Sequence, residues 1–95
     1  MKRKRIPRPK RQATRNEYRS IALLKAQGYS CSRVHGGLWQ VVGVREDDIV
    51  LVRVCGEEPD LTSLLPFERV LCPPDVRRIV HVWKPRKRKP ETREL

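Results

Sequence analysis

The sequence contains no hydrophobic run that approaches the roughly 20 apolar residues of a membrane span. Its basic start, MKRKRIPRPKRQ, is not followed by an apolar segment, so a secretory signal is not predicted. The three cysteines are an odd number and lie far apart, which favours reduced thiols over a disulfide framework. We therefore expect a cytoplasmic protein that makes no use of a membrane.

Motifs for cofactor and metal chemistry are also missing. There is no G-x-G-x-x-G and no G-K-[ST] run, so no nucleotide cofactor is predicted. There is no C-x-x-C pair, and no neighbouring Asn or Asp supports a Cys–His nucleophile. Two sets remain as weak candidates for a metal: the cysteines and histidines Cys31, His35, Cys55, Cys72 and His81, and the acidic turn Glu46, Asp47 and Asp48. Acidic residues are common in tight turns between strands, and we predict no metal site.

Positive charge is what the sequence has in excess. It carries 22 Lys and Arg against 11 Asp and Glu, and the surplus lies at the two ends, in residues 1–15 and 84–95. Basic segments attract polyanions because neutralised phosphates release counterions, so nucleic acid is the expected partner. The predicted contact residues in these ends are Lys2, Arg3, Lys4, Arg5, Arg8, Lys10, Arg11, Arg15, Lys84, Arg86, Lys87, Arg88 and Lys89.

Prolines divide the chain into a body and two arms. Pro7, Pro9, Pro85 and Pro90 interrupt regular structure within the basic ends. We predict a flexible basic arm over residues 1–12, an α/β domain over 13–83 and a second flexible basic arm over 84–95. Such arms can become ordered on binding.

The body has an alternating pattern of helix and strand signals. A helix is predicted over about 13–27, with Thr14 and Glu17 as a capping box and Gly28 at its end. Strands are predicted over 29–34, 38–44, 49–55 and 77–83, and a short helix interrupted by Pro66 over about 61–71. The third strand is so rich in Val, Ile and Leu that we place it at the centre of the sheet. A core of this size is small, so we expect a homodimer.

Three local motifs follow this α-β-β-β-(α)-β order. The first helix reads EYRSIALLKAQGY from Glu17, a basic residue and glycine turn read RVHGGLWQVVG from Arg33, and the central strand reads LVRVCG from Leu51. Together they resemble the PD-(D/E)XK superfamily of restriction-endonuclease-like fold, especially the small Holliday junction resolvase-like proteins. The resemblance covers about residues 11–95. It implies a small restriction-endonuclease-like core that acts on DNA.

The sequence departs from that family at its chemistry. Gln40 stands at the position of the family's Asp, Arg53 at that of its second acid and Cys55 at that of its Lys, while Glu17 keeps the helix acid. Such nucleases hold Mg²⁺ or Mn²⁺ on carboxylates, and the metal activates water and polarises the phosphate. A cation repels a divalent metal and a thiol is too soft for it. We predict a catalytically inactive nuclease-derived protein that binds nucleic acid.

Several of these residues have two possible roles. Arg53 can hold a phosphate where the metal would have been, or it can lie on a solvated face or pair with Glu17. Glu17 is either a residual catalytic acid or part of the capping box. Trp83, which adjoins the C-terminal arm, can stack on a base or pack in the protein. For Trp39 we predict a packing role. Arg33, at the family's basic position, is a further predicted nucleic-acid contact.

Two other functions remain open. The first is an active, metal-dependent endonuclease of the Holliday junction resolvase type, in which Glu17 and loop carboxylates rebuild a site. The second is a protein-interaction or inhibitor module in which the basic ends are incidental. Metal-dependent cleavage would distinguish the first, and a captured protein partner together with salt-sensitive nucleic-acid binding would distinguish the second.

Overall fold

The computed structural model describes residues 8–35 and 37–95, with side chains from residue 14 onward. It contains two helices and five strands. In chain order these are α1 (Arg8–Ala26), β1 (Ser30–Arg33), β2 (Val41–Arg45), β3 (Asp48–Cys55), α2 (Leu61–Glu68), β4 (Val76–Val82) and β5 (Glu91–Glu94). Neither helix of the described chain is long and apolar enough to cross a membrane.

The strands form one mixed sheet in the order β1-β2-β3-β4-β5. β3 and β4 are parallel, and every other neighbouring pair is antiparallel. β2 and β3 form the predicted hairpin, in which Arg45 pairs with Asp48 across the turn. β3 is the middle strand, and its successive residues Val50, Leu51 and Val52 are all buried. The prediction of a central third strand is therefore confirmed.

The sheet is covered on both faces. Leu24 of α1 packs with Val50 and Val52 on one face, and Leu64 and Phe67 of α2 pack with Leu51 on the other. Side chains alternate between the faces of a strand, so β3 contributes to both apolar clusters. Each fully buried side chain of this kind stabilises the fold by about 1.5–3 kcal/mol before entropy is counted.

Helix α1 begins five residues earlier than predicted. Its first residue is Arg8, and Pro9 is tolerated there because the first turn of a helix has N–H groups without intrahelical partners. Thr14 and Glu17 lie inside the helix, so the predicted capping box is wrong. Residues 8–12, predicted as part of an extended arm, are helical; residues 1–7 of that arm lie outside the described residues.

The end of α1 is as predicted. Gly28 has a φ of 95°, in the left-handed region that suits glycine. The N–H of Gly28 donates to the carbonyl of Lys25 at 3.0 Å, and the N–H of Tyr29 donates to that of Leu24 at 3.1 Å. This pair of bonds is the Schellman motif, which satisfies the last carbonyls of the helix and turns the chain into β1.

The C-terminal segment is not an extended flexible arm. Residues 91–94 form β5, which pairs antiparallel with β4 in the register Val82↔Glu91 to Ile79↔Glu94. The N–H of Leu95 also donates to the carbonyl of Arg78 at 2.9 Å. The side chain of Leu95 packs against the apolar cluster on the α2 side of the sheet, the α2-face cluster, which consists of Leu51, Leu64, Phe67, Val80 and Val82. The arm prediction is therefore wrong for this segment, which covers the otherwise open edge of β4.

Candidate nucleic-acid interface

A groove lies where the two parallel strands end. The chain leaves β3 at Gly56 and β4 at Trp83, and these exits are adjacent because the N–H of Trp83 donates to the carbonyl of Cys55 at 2.8 Å. Arg15 and Arg19 of α1 form the opposite wall of the groove, which has a volume of about 510 Å³. The space outside the carboxyl ends of parallel strands is where ligands commonly bind in α/β sheets.

The groove is lined by cations. Five basic side chains and no acidic one border it: Arg15, Arg19, Lys84, Arg86 and Lys87. Lys84 is paired with Glu91, with 2.6 Å between Nζ and Oε2. Within the described part of the chain the other four make no salt bridge. Much of the positive charge is therefore free to meet an anion.

Arg19 is held in place on three sides. Its guanidinium carbon lies 4.1 Å from the centroid of the Trp83 ring, a cation–π distance. Its Nη1 donates to Oδ1 of Asn16 at 3.3 Å, and its Nη2 donates to the carbonyl of Lys87 at 2.9 Å. These bonds use two of the five N–H donors of a guanidinium and leave the others for a ligand.

Buried hydrogen bonds among Trp83, Ser20 and His81 hold the Trp83 ring in place. Its Nε1 donates to Oγ of Ser20 at 2.8 Å, and that hydroxyl lies 2.9 Å from Nδ1 of His81. Burial lowers the pKa of His81 to about 4, so the imidazole is neutral at pH 7. Trp83 itself is only 5% exposed. The expectation that Trp83 stacks on a base from the protein surface is therefore corrected.

The turn after β4 brings further cations to the groove. The N–H of Lys87 donates to the carbonyl of Lys84 at 3.2 Å, with Pro85 and Arg86 at the two central positions. Arg86 has a φ of 65°, which belongs to the left-handed region and is uncommon for a residue other than glycine. A proline followed by a residue of positive φ is typical of a type II turn. A conformation of this kind costs on the order of 1 kcal/mol.

Arg19 is the groove residue that the sequence prediction missed. Positions 8, 11, 15 and 19 of α1 are all Arg and follow each other at helical spacing, which places them on one stripe. At a rise of 1.5 Å per residue the stripe runs for about 16 Å. Arg15 and Arg19 have this spacing within the predicted helix as well, which was the signal in the sequence; positions 8 and 11 join the stripe only because the helix begins at Arg8.

The structure separates the other predicted contacts from the groove. Nη2 of Arg33 pairs with Oε1 of Glu17 at 2.8 Å, and Nη1 of Arg53 donates to the carbonyl of Leu38 at 3.1 Å. Arg53 belongs to β3 and does not line the groove. Arg88 and Lys89 are exposed and follow the turn, and the side chains of Arg8, Lys10 and Arg11 lie outside the described residues, as do Lys2, Arg3, Lys4 and Arg5 in full.

The positions that match the nuclease family have structural contacts instead. Oε1 of Gln40 accepts the N–H of Val54 at 2.8 Å, which ties the loop before β2 to β3. Burial raises the pKa of the Cys55 thiol, which packs in the α2-face cluster. Glu17 pairs with Arg33 rather than with Arg53. Among the described residues no group of three His, Cys, Asp or Glu side chains is placed to hold a metal ion.

Two other predicted features have packing roles. Trp39 lies against Phe67, with 6.1 Å between ring centroids, in agreement with a packing role. In the acidic turn, Asp48 accepts hydrogen bonds from Tyr29 and Arg77, and these two partners lower its pKa. Glu46 and Asp47 are exposed.

No protein-family model matches this chain, and no curated protein is similar enough to be reported as a relative.

Proposed function

We propose that this protein binds nucleic acid, with DNA as the expected partner, through backbone phosphates and without hydrolysing them. The observation that carries the proposal is the groove, where five basic side chains and no acidic one converge at the carboxyl ends of the parallel strands. An anion entering it meets at least four cations that make no salt bridge within the described chain. Nucleic acid is the abundant ligand that presents phosphates at regular spacing.

The topology is consistent with an origin from a PD-(D/E)XK nuclease. The described elements run in the order helix, strand, hairpin, second helix and strand, and this order supports the proposed resemblance. The hairpin and the parallel β3–β4 pair support that ancestry.

The absence of hydrolysis in this proposal follows from the substituted residues. Gln40 supplies a neutral amide that is already used by the Val54 N–H, and Arg53 brings positive charge to β3. A divalent cation needs hard anionic oxygen ligands, and Arg53 would oppose it. The carboxylate of Glu17 is engaged by Arg33 at 2.8 Å.

Binding of this kind has a measurable salt dependence. Each phosphate neutralised on a duplex contributes about 0.9 to the slope of log K against log salt. Removing one groove cation should therefore make the slope less steep by about one phosphate equivalent. Arg15→Ala tests this, because Arg15 is exposed and makes no ion pair within the described residues. Arg69→Ala is the charge-matched control, because Arg69 lies at the end of α2, away from the groove.

The decisive experiment uses a labelled four-way DNA junction and a linear duplex with Mg²⁺ or Mn²⁺ near physiological salt. Shifted but intact DNA, with weaker binding by the Arg15→Ala protein than by the Arg69→Ala protein, supports the proposal. Cleaved DNA that Glu17→Gln abolishes overturns it in favour of an active nuclease. No shift at low salt overturns nucleic-acid binding itself.

A protein-interaction module is the second candidate, and exposed leucines favour it. Leu61 is 82% exposed and Leu71 is 99% exposed, both on the α2 side of the domain. Capture of one defined protein that Leu61→Ser together with Leu71→Ser prevents, combined with an absence of DNA binding at 0.15 M salt, would support this function over the first.

A further inference from the structure

We propose that Arg19 determines what the groove recognises: its guanidinium binds a phosphate and at the same time shields Trp83 from bases, so the groove is specific for the nucleic-acid backbone. This inference rests on the proposed function and adds the chemical group that is read. Arg19 was not among the residues predicted from the sequence.

The geometry gives Arg19 both roles. The guanidinium carbon lies 4.1 Å from the Trp83 ring centroid, so it covers the aromatic face on which a base would stack. The N–H groups of a guanidinium point outward in its own plane, and this planar fork matches the oxygens of a phosphate. Two of its donors are already directed to Asn16 and to the carbonyl of Lys87, which fixes the plane.

The remaining aromatic rings do not replace Trp83 as a stacking surface in the groove. Trp83 is the one aromatic residue of the described chain that lines it. Tyr18 lies elsewhere and carries the guanidinium of Arg33 at 4.9 Å from its ring centroid. Trp39 packs against Phe67, and Tyr29 is buried. Non-sequence-specific binders of single strands use exposed aromatic platforms, and the groove offers none while Arg19 is in place.

The support beneath the ring makes this arrangement rigid. Trp83 is bonded through Nε1 to Ser20, whose hydroxyl also meets His81, and both of those residues are buried. Arg19 is also tied to the Lys84–Lys87 turn through the carbonyl of Lys87. A ligand therefore meets a cation that is already positioned, which reduces the entropy lost on binding.

The test compares two single-stranded oligonucleotides of equal length and charge, one with ordinary bases and one with abasic sites throughout. The groove should not distinguish them, so we expect wild-type dissociation constants that agree within about twofold, since the phosphates supply the affinity. Wild-type protein that binds the base-containing strand more than tenfold tighter than the abasic strand overturns the inference but leaves nucleic-acid binding intact. Wild-type protein that binds the duplex but neither single strand at low salt also overturns the inference alone, whereas protein that binds neither strand nor the duplex overturns the proposed function as well.

Two substitutions separate the charge of Arg19 from its shielding. Arg19→Met keeps an aliphatic cover on Trp83 and removes the fork, so it should weaken binding of both strands about tenfold while their ratio stays near one. Arg19→Ala also uncovers the ring, so it should lose similar affinity for the abasic strand but bind the base-containing strand severalfold better than the abasic one. Trp83 fluorescence should respond to bases only in the Arg19→Ala protein.

Arg69→Ala serves as the charge-matched control and should change either affinity by less than about threefold. Thermal unfolding of each variant establishes that the domain is folded under the binding conditions. Arg19→Met protein that is folded and binds the abasic strand as tightly as wild type overturns the anchoring role. Arg19→Ala protein that is folded and still does not distinguish the two strands overturns the shielding role.

Discussion

The indole Nε1 of Trp83 and the hydroxyl of Ser20 are joined by a buried hydrogen bond of 2.8 Å. The same hydroxyl lies 2.9 Å from Nδ1 of His81, so one small side chain satisfies two aromatic residues on β4 and the segment that follows it. Ser20 therefore fixes the floor of the groove to α1. This explains why a polar residue occupies a fully buried position on the helix.

Ser20→Ala should destabilise the domain by about 1–3 kcal/mol, because the Trp83 N–H and the His81 ring then lose their buried partner. We also expect weaker DNA binding, since the ring beneath Arg19 is no longer held. Urea unfolding and binding anisotropy measure the two effects. Ser63→Ala is the matched control: its Oγ bonds to the carbonyl of Asp60 at the surface of α2, and it should leave both unchanged within about 0.5 kcal/mol.

Stability should fall as the pH drops from about 6.5 to about 4. Burial lowers the pKa of His81 to about 4, whereas a histidine in the unfolded chain has a pKa near 6.5. Between these values the unfolded state binds the proton and the folded state does not, so acid favours unfolding, by about 3 kcal/mol over the whole window.

Unfolding free energies measured across this window check the prediction. His81→Phe should flatten the dependence, because it removes the buried imidazole. The carboxylate of Asp48, whose pKa is lowered by Arg77 and Tyr29, acts at a lower pH: its contribution is present above about pH 4 and is lost below that. A wild-type protein equally stable at pH 7 and pH 4.5 would contradict the burial of a neutral His81.

Arg86→Gly should separate stability from binding. Glycine adopts a φ of 65° without the side-chain clash that arginine suffers, which offsets its greater entropy in the unfolded chain. We expect the free energy of unfolding to stay equal or to rise by up to about 1 kcal/mol, while DNA binds more weakly because a groove cation is lost. Arg86→Ala removes the same charge without relieving the backbone. An Arg86→Gly protein clearly less stable than the Arg86→Ala protein would refute the left-handed turn.

Removing residues 91–95 should destabilise the protein rather than leave it unchanged. The deletion takes away β5, exposes the edge of β4 and removes Leu95 from the α2-face cluster. It also removes Arg93, whose guanidinium bonds both carboxylate oxygens of Glu58 at 2.6 Å. We expect a loss of about 2 kcal/mol or more in urea unfolding. An unchanged unfolding midpoint would indicate the flexible arm that the sequence predicts.

Phe67 of α2 and Leu71, which follows the helix, should respond very differently to truncation. Phe67 is fully buried against the sheet. Phe67→Ala should therefore lower the free energy of unfolding by about 3–5 kcal/mol, because the cavity left by the ring is not refilled. Leu71, just after the helix, is 99% exposed, and Leu71→Ala should change the unfolding free energy by less than about 0.5 kcal/mol. Equal losses from the two substitutions would mean that Leu71 is covered, for example by a second copy of the chain.

Local patterns in the sequence determined the body of the fold. The apolar run of β3 predicts a strand buried on both faces, and Gly28 predicts the end of α1 because only glycine adopts that conformation without cost. The hairpin follows from two apolar runs around a short polar turn. Such features depend on neighbouring residues, and they can be read without knowing the rest of the chain.

The first residue of α1 and the fate of the C-terminal segment were not determined locally. Proline near Arg8 signals a helix start as well as a break, and the sequence alone favoured the break. The segment around Glu91 has a polar composition that is typical of a mobile end. It becomes a strand because β4 has an open edge to which its backbone can bond, and that edge exists only in the folded sheet.

The candidate site shows the same division. The composition determined that this protein is strongly basic, and the order of residues determined that its ends hold the excess charge. These two facts are enough to predict a polyanionic partner. Only the tertiary structure brought Arg19 over Trp83 and placed the Lys84–Lys87 turn beside α1, residues more than 60 positions apart in the chain. The physical reason is that the parallel β3–β4 pair puts both strand exits at one edge of the sheet, and no local pattern encodes which distant segments meet there.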